Sequence, residues 1–485
     1  MASSAAVKIT MNYSPFDQVP NEILNMILYF ASSLPTMEGD NPVRIWKKWK
    51  KRKSSDFRTV LLLVCRRWNR AALSCASIWA SLHYRFPGCP GDEERSNVRQ
   101  ENLWRTHLKL AASTTPLSIN LALSTDDIPD GLDELILNTL AEHSPRLKFL
   151  EYTTDIPSHI QFWLLPILHC STEGDMWDYN SYPYSTHTWE SLPHKPPQTL
   201  FLQFLTHIKI TRIPCYDGCD MTFTLLPALS RLPLLTHLEL SSIVLACPCS
   251  YQLRNAIENQ VKLPFISLSQ LSLRCCINNQ MYTLGLMDLP KLQLLGIEEW
   301  SQCEDPRQTP CLACKSRTQP HYREIPVSLP SVSHAVLYNL SEEIFTPAQI
   351  LHNAPNLTHL TIRSPISYTL GKLPSSQVNS PVEDSLQATI ETCTRLQDLG
   401  LFVSSCDARH VDIVMNRHLQ PLQKLRISRK MVESMSSQHS ASEFEIVGTM
   451  VKAGRIDVIE DWIVPRFEVE MERMRQDMLQ TTVMW

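Results

Sequence analysis

Beyond residue 140 one hydrophobic pattern keeps returning: an apolar residue, two free positions, a second apolar residue, one free position, a third. It occurs as Leu147–Leu150–Tyr152, Leu205–Ile208–Ile210, Leu235–Leu238–Leu240, Leu268–Leu271–Leu273 and Leu292–Leu295–Ile297. It continues as Val332–Ala335–Leu337, Leu357–Leu360–Ile362, Leu396–Leu399–Leu401 and Leu422–Leu425–Ile427, often just after a proline. From residue 205 to residue 422 seven intervals cover 217 residues, a mean of 31, with spacings from 24 to 40. The end of each copy alternates in and out, so each predicts one short strand whose first apolar residue packs beneath the neighbouring coil. One such strand cannot bury its face alone. Successive copies must stack into a shared core, with a helix or an irregular segment on the outer side. Helical patterns over Ser341–Ala354 and Val382–Thr394 fit between the strands. The expected fold class is therefore α/β.

The copies resemble degenerate leucine-rich repeats, with the usual asparagine of that motif mostly absent. The resemblance implies an irregular, curved α/β solenoid over residues 141–440. Unrelated amphipathic strands in a compact α/β domain remain the alternative. Leu117–Leu123 has clean period-2 alternation and is expected to start the array, and Gln100–Ser113 before it reads as a helix with Leu103, His107 and Leu110 on one stripe. Together they make residues 86–140 a linker helix and first strand. Two stretches interrupt the pattern. Ser171–Thr199 holds Trp177, Tyr179, Tyr182, Tyr184 and Trp189. Aromatics on a long loop can anchor recognition because they bury much area at low entropy cost, and Trp177, Tyr182, Tyr184 and Trp189 are the substrate-binding candidates. A loop folded back over the core is the other reading. Cys303–Tyr322 is the second interruption. The tail over 441–485 changes character: Phe467–Gln480 is charged and helical, with Met471, Met474 and Met478 on one side, and is expected to cap the open end of the array.

Residues 16–85 read as short helices after an N-terminus, 1–15, expected to be disordered. Pro20 and Glu22 suit a first helical turn, and Ile23, Leu24, Ile27 and Leu28 make one apolar face. Val60, Leu63, Val64 and Trp68 form a second stripe that excludes Arg66 and Arg67. The order Pro20-x-Glu22-Ile23-Leu24-x-x-Ile27-Leu28, then Leu63-Val64-Cys65-Arg66-Arg67-Trp68, then Ile78-Trp79-x-x-Leu82 resembles the F-box. Val19 stands where that family usually has Leu, and an insertion over residues 34–57 separates the two halves. The resemblance implies a three-helix module that docks on a Skp-family adaptor and, through it, on a cullin. The adaptor-binding candidates it implies are Pro20, Ile23, Leu24, Ile27, Leu28, Leu63, Val64, Cys65, Trp68 and Trp79. With repeats behind it, such a module would belong to a substrate-recognition subunit of a ubiquitin ligase that holds a target protein and performs no bond chemistry itself. The alternative is a repeat scaffold that binds protein outside any ligase.

Composition narrows the function classes. Lys and Arg number 45 against 49 Asp and Glu, so a globally basic nucleic-acid binder is not expected. Only 12 of 485 residues are glycine, which argues against phosphate-cradling loops and nucleophile elbows. No enzyme motif is present, and no cofactor is expected. The insertion carries Trp46-Lys47-Lys48-Trp49-Lys50-Lys51-Arg52-Lys53, open to reading as a solvated loop face, a nuclear localisation signal or an anionic-surface contact. Fifteen cysteines without a visible signal peptide read as small buried hydrophobes. Among them Cys303, Cys311 and Cys314 with His321 contain one C-x-x-C pair, but no second pair matches it, so free thiols are preferred to a metal site. No apolar run approaches the length of a membrane helix, and the expected location is cytoplasmic, nuclear or both.

Overall fold

The computed structural model describes residues 19, 20, 22–24, 26, 62, 65–85, 93–123, 139, 140, 142–154, 202–212, 225–241, 262–275, 277–299, 327–339, 350, 351, 353–364, 393–403, 422–438, 445, 448, 449, 451–460 and 466–483. Among them the strands are β1 (Ser81–Arg85), β2 (Leu117–Leu123), β3 (Leu147–Thr154), β4 (His207–Arg212), β5 (His237–Ser241), β6 (Leu263–Pro264) and β7 (Gln270–Cys275). They continue as β8 (Met287–Asp288), β9 (Leu294–Glu299), β10 (His334–Tyr338), β11 (His359–Ser364), β12 (Asp398–Val403), β13 (Lys424–Ser428) and β14 (Ile456–Ile459). The helices are α1 (Arg66–Ser74), α2 (Ala76–Trp79), α3 (Glu93–Leu110), α4 (Leu225–Ser230), α5 (Ile277–Leu286), α6 (Arg429–Gln438) and α7 (Phe467–Val483).

Twelve of these strands form one sheet in sequence order, β6 and β8 pairing apart, and every neighbouring pair is parallel. The chain is thus a mixed α/β protein built on a large parallel sheet. Each of the nine hydrophobic motifs contributes a strand, and Leu117–Leu123 contributes one as expected. The pairing aligns equivalent motif positions: Leu238 lies beside Ile208 and Leu271, and Leu360 beside Ala335 and Leu399. That register puts the apolar positions of successive strands in rows on one face, where they form a continuous core. A one-residue slip would turn every one of those side chains to the other face, so burial specifies the register.

Two further devices hold successive copies together. Leu205, Leu235, Leu268, Leu292, Val332, Leu357 and Leu396 each donate their N–H to the carbonyl three residues earlier, at 2.9–3.3 Å. Pro233, Pro290, Pro330 and Pro355 follow the acceptor in four of these turns, where a fixed φ near −65° suits the first central position. The next residue, Thr206, Thr236, Ser269, Gln293, Ser333, Thr358, Gln397 or Gln423, donates its N–H to the carbonyl of its counterpart one copy earlier, at 2.7–3.0 Å. Where that residue is Ser or Thr, its hydroxyl donates to the same carbonyl, at 2.9–3.4 Å. Ser267, Ser331 and Asn356 do likewise for the turn carbonyls of Pro233, Pro290 and Pro330, at 2.5–2.7 Å. The polar positions of the motif therefore satisfy the backbone between copies, which buried amides and carbonyls require.

At the N-terminal end the helices feed straight into this sheet. α1 and α2 lead into β1, and α3 packs on α2 and β1. Ala72 and Ile78 are fully buried, and Trp79, 2% exposed, donates its indole N–H to the carbonyl of Ala72 at 2.7 Å. The Trp79 ring lies 5.1 Å from that of His107, and Tyr84 meets Trp104 edge-on at 5.8 Å. The guanidinium of Arg67 donates to the carbonyl of Val19, and the amide of Asn69 to that of Leu62 at 2.9 Å, tying these earlier residues to α1. The pattern placed α3 at Gln100–Ser113; it runs Glu93–Leu110.

No helix among the described residues is long and apolar enough to cross a membrane. Trp79 anchors this end of the sheet, so Trp79→Ala should lower stability by about 3–5 kcal/mol. Ile23→Ala, at a residue 45% exposed, should change it by about 0.5 kcal/mol or less. Urea denaturation midpoints of the two variants check both.

Candidate functional site

The sheet has a second face, made by the alternate positions of the same strands. One row of it runs Phe149, His207, His237, Gln270, Leu294, His334, His359, Asp398 and Lys424. The next runs Glu151, Lys209, Glu239, Ser272, Gly296, Val336, Thr361, Gly400 and Arg426. These are the free positions of the motif, and most of them are polar or charged, with Phe149, Leu294 and Val336 the apolar members.

Two pairs of imidazoles stack across neighbouring strands. His207 and His237 lie 3.9 Å apart at 15°, and His334 and His359 lie 4.3 Å apart at 3°. Each ring has its Nδ1 within 2.7–2.9 Å of the preceding Thr or Ser hydroxyl. That hydroxyl already donates its single proton to a carbonyl one copy back, so it accepts from Nδ1–H, which fixes the tautomer. Burial first, then the neighbouring His207 and Arg475, pushes the His237 imidazole down to about 3. Burial, then His359 and Arg473, pushes His334 down to about 3 as well. All four rings are depressed, and neutral stacking is the state the fold accepts.

The centre of this face is covered by α7. The residues at i, i+3, i+4 and i+7 from Phe467 turn inward, as on any helix lying on a surface. Phe467 and Met474 are buried against Leu294, Val336 and Tyr338, with Met471 packed beside them. The Phe467 ring meets Tyr338 edge-on at 5.6 Å and sits 5.3 Å from the Arg274 guanidinium carbon. Met471 uses the space left by Gly296, where a Cβ would come within 2.5 Å of its sulfur. The sequence pattern places this helix at the open end of the array; the contacts place it on β9 and β10, in the middle of the sheet. The methionine stripe does face the protein, but onto a polar face whose apolar gap is local.

Charges flank the apolar contact on both sides. Glu468 pairs with Arg274 at 2.6 Å, and Arg274 also pairs with Glu298 at 2.7 Å. On the other side Oε1 of the fully buried Glu470 accepts from Thr361 Oγ1 at 2.7 Å and from Arg426 Nη2 at 3.0 Å. It also accepts from Arg473 Nε at 3.0 Å and Nη2 at 2.8 Å. Arg426 Nε reaches Asp398 at 3.2 Å, and Arg473 pairs with Asp477 at 2.5 Å. Burial alone would raise the Glu470 carboxyl, but the hydrogen bonds from Arg473 and the charge of Arg426 outweigh it and hold the group below the usual carboxylate range. Toward β3, Lys209 lies between Glu151 at 3.5 Å and Glu239 at 3.6 Å.

The residues expected to meet an adaptor divide. Pro20, Ile23 and Cys65 are exposed, and Trp68 is half-buried against the core. Leu24 and Trp79 are 3% and 2% exposed and pack within this chain's own core. Ile27, Leu28, Leu63 and Val64 lie outside the described residues, as do Trp177, Tyr182, Tyr184, Trp189, Cys303, Cys311, Cys314, His321, the 34–57 insertion and residues 1–15. Met26, 54% exposed, and Leu73, 43% exposed, are apolar surface that the motif reading passed over. Among the described residues no group of three or more His, Cys, Asp and Glu is placed to hold a metal ion. Cys75 and Cys393 are buried. The second-face groups were also missed, although a Thr-His or Ser-His pair recurs at 206–207, 236–237, 333–334 and 358–359. No protein-family model matches the chain, and no curated protein matches it.

Two outcomes follow. Arg426→Ala removes one of the donors to the buried Glu470, which keeps Arg473 and Thr361, and should cost about 1.5–3 kcal/mol, read as a shift in the urea midpoint. The stacked imidazoles set a pH dependence: their folded values lie below the unfolded 6.5, so the unfolded chain binds more protons between the two. Their contribution is complete above about 6.5 and is lost as pH falls from there toward about 3. Thermal midpoints should therefore drop between about pH 7 and about pH 5, and His237→Gln with His334→Gln should flatten that drop.

Proposed function

We infer that the chain is a substrate-recognition subunit of a Skp–cullin–F-box ubiquitin ligase. Its N-terminal helices dock a Skp-family adaptor, and its leucine-rich-repeat-like solenoid holds a target protein. The observation that carries the reading is the exposed apolar surface of the N-terminal helical segment. Ile23, Met26 and Leu73 are 45%, 54% and 43% exposed in the same stretch whose residue order resembles the F-box. Ile23 and Met26 stand three positions apart, and neighbouring large apolar side chains left in water mark a contact for another polypeptide. The repeat reading is supported by nine copies of one motif paired in parallel and in register. The direct passage from α2 into β1 supports a fixed orientation between the adaptor-binding end and the array.

On this reading the protein moves no bonds. It raises the local concentration of a target lysine near the ligase's catalytic partner, the usual gain from tethering. A second reading, a repeat scaffold unconnected to ubiquitination, is favoured by one observation: Leu24 and Trp79 are taken up by the chain's own core, which leaves less apolar surface for an adaptor.

Co-purification with a Skp-family adaptor separates the two. The wild-type chain should retain the adaptor, and Ile23→Asp with Met26→Asp should reduce retention at least tenfold. Because both side chains are exposed, the thermal midpoint of the double variant should stay close to that of the wild type. Failure of the wild type to retain any adaptor, or full retention by the folded double variant, would overturn the ligase reading.

A further inference from the structure

We propose that α7 is a detachable pseudo-ligand, and that the face beneath it is a binding site for an amphipathic helix of a partner protein bearing two acidic residues beside its apolar stripe. The site goes beyond adaptor docking and does not depend on it, since it lies on β7 to β13 and uses none of the N-terminal residues.

Four observations carry the proposal. The apolar contact under α7 is small and separate: Leu294, Val336 and Tyr338 with Phe467, Met474 and Met471 form a cluster of their own, apart from the main core. A helix held by so little apolar surface opens more easily than strands buried in the common core. The second is charge complementarity, since Arg274 receives Glu468 and Arg426 receives Glu470, one on each side of the apolar gap. The third is that the two cations do not depend on α7 for a partner. With the helix gone, Arg274 keeps Glu298 at 2.7 Å and Arg426 keeps Asp398 at 3.2 Å, so neither cation is left alone. The fourth is the shape of the gap: Gly296 in the middle of a strand leaves the room that the Met471 side chain fills. Gly in a strand interior often marks a site of close approach.

The helix itself spells what the site accepts: an apolar residue, acids one and three positions later, then apolar residues four and seven positions later. In this chain those are Phe467, Glu468, Glu470, Met471 and Met474. A partner helix with that spacing makes the same contacts, reading one face at i, i+4 and i+7. It must displace α7, whose tethering gives it a high local concentration. Binding in trans is therefore weak until α7 lifts.

The test uses the full-length chain in two measurements. Hydrogen exchange on the wild type should show amides of 467–483 exchanging at least tenfold faster than those of 294–299 and 334–338. A fluorescent peptide of residues 466–483 is then titrated, with anisotropy as readout. Phe467→Ala with Met474→Asp alters only the helix, and this variant should bind the peptide at least tenfold more tightly than the wild type. A peptide carrying Glu468→Lys and Glu470→Lys should bind at least tenfold more weakly. Should the double variant lose strand protection, Met474→Ala takes its place. Exchange of α7 and the strands at one common rate, no peptide binding by a folded variant, or equal binding of the charge-reversed peptide would each overturn the proposal. Adaptor retention is unmoved by any of these outcomes, so failure here leaves the ligase reading standing.

Discussion

The structure depends on one recurring hydrogen bond, from the amide of the residue after each motif's first apolar position to the carbonyl of its counterpart one copy earlier. Eight such links run from Lys148 to Gln423. Because each link joins equivalent positions, the strands that follow must pair without offset. The apolar rows then stack into one core, and the remaining positions stack equally well into rows on the other face. A parallel sheet has to be covered or satisfied on both sides, and here the two sides are solved by different chemistry.

On the core side the solution is burial. Each fully buried Leu or Ile contributes about 1.5–3 kcal/mol relative to an exposed one, and successive copies bury one another's. On the second face the solution is pairing: hydroxyls bond backbone carbonyls, imidazoles stack, and carboxylates alternate with Lys209, Arg274 and Arg426. Such a face stays hydrated or takes a charged partner. α7 is that partner over the central strands, and it brings the buried carboxylate of Glu470 to Arg426, 44 residues earlier in the chain.

The N-terminal helices show a limit of motif reasoning. A residue order that resembles a docking module marks Leu24 and Trp79 as surface contacts, whereas both pack into the same core as the sheet. The reason is the immediate continuation of α2 into β1. A large indole at the end of a two-helix turn must be buried by whatever element comes next, and here that element is the first strand with α3 laid over it. Ile23, Met26 and Leu73, among the described residues of this segment, stay 43–54% exposed.

The sequence alone determined the α/β class, the position of every motif strand and the expectation that copies stack, because in-and-out alternation is written locally, residue by residue. It did not reveal β1 or β14, each of which completes its row only by lying beside a strand already formed. Nor did it reveal where α7 rests. A methionine stripe announces that a helix needs a surface, but any apolar surface would serve. Only the assembled sheet sets Gly296 beside Val336, with Arg274 and Arg426 on either flank. Those neighbours come from separate strands, and their proximity exists only once register has brought equivalent positions side by side.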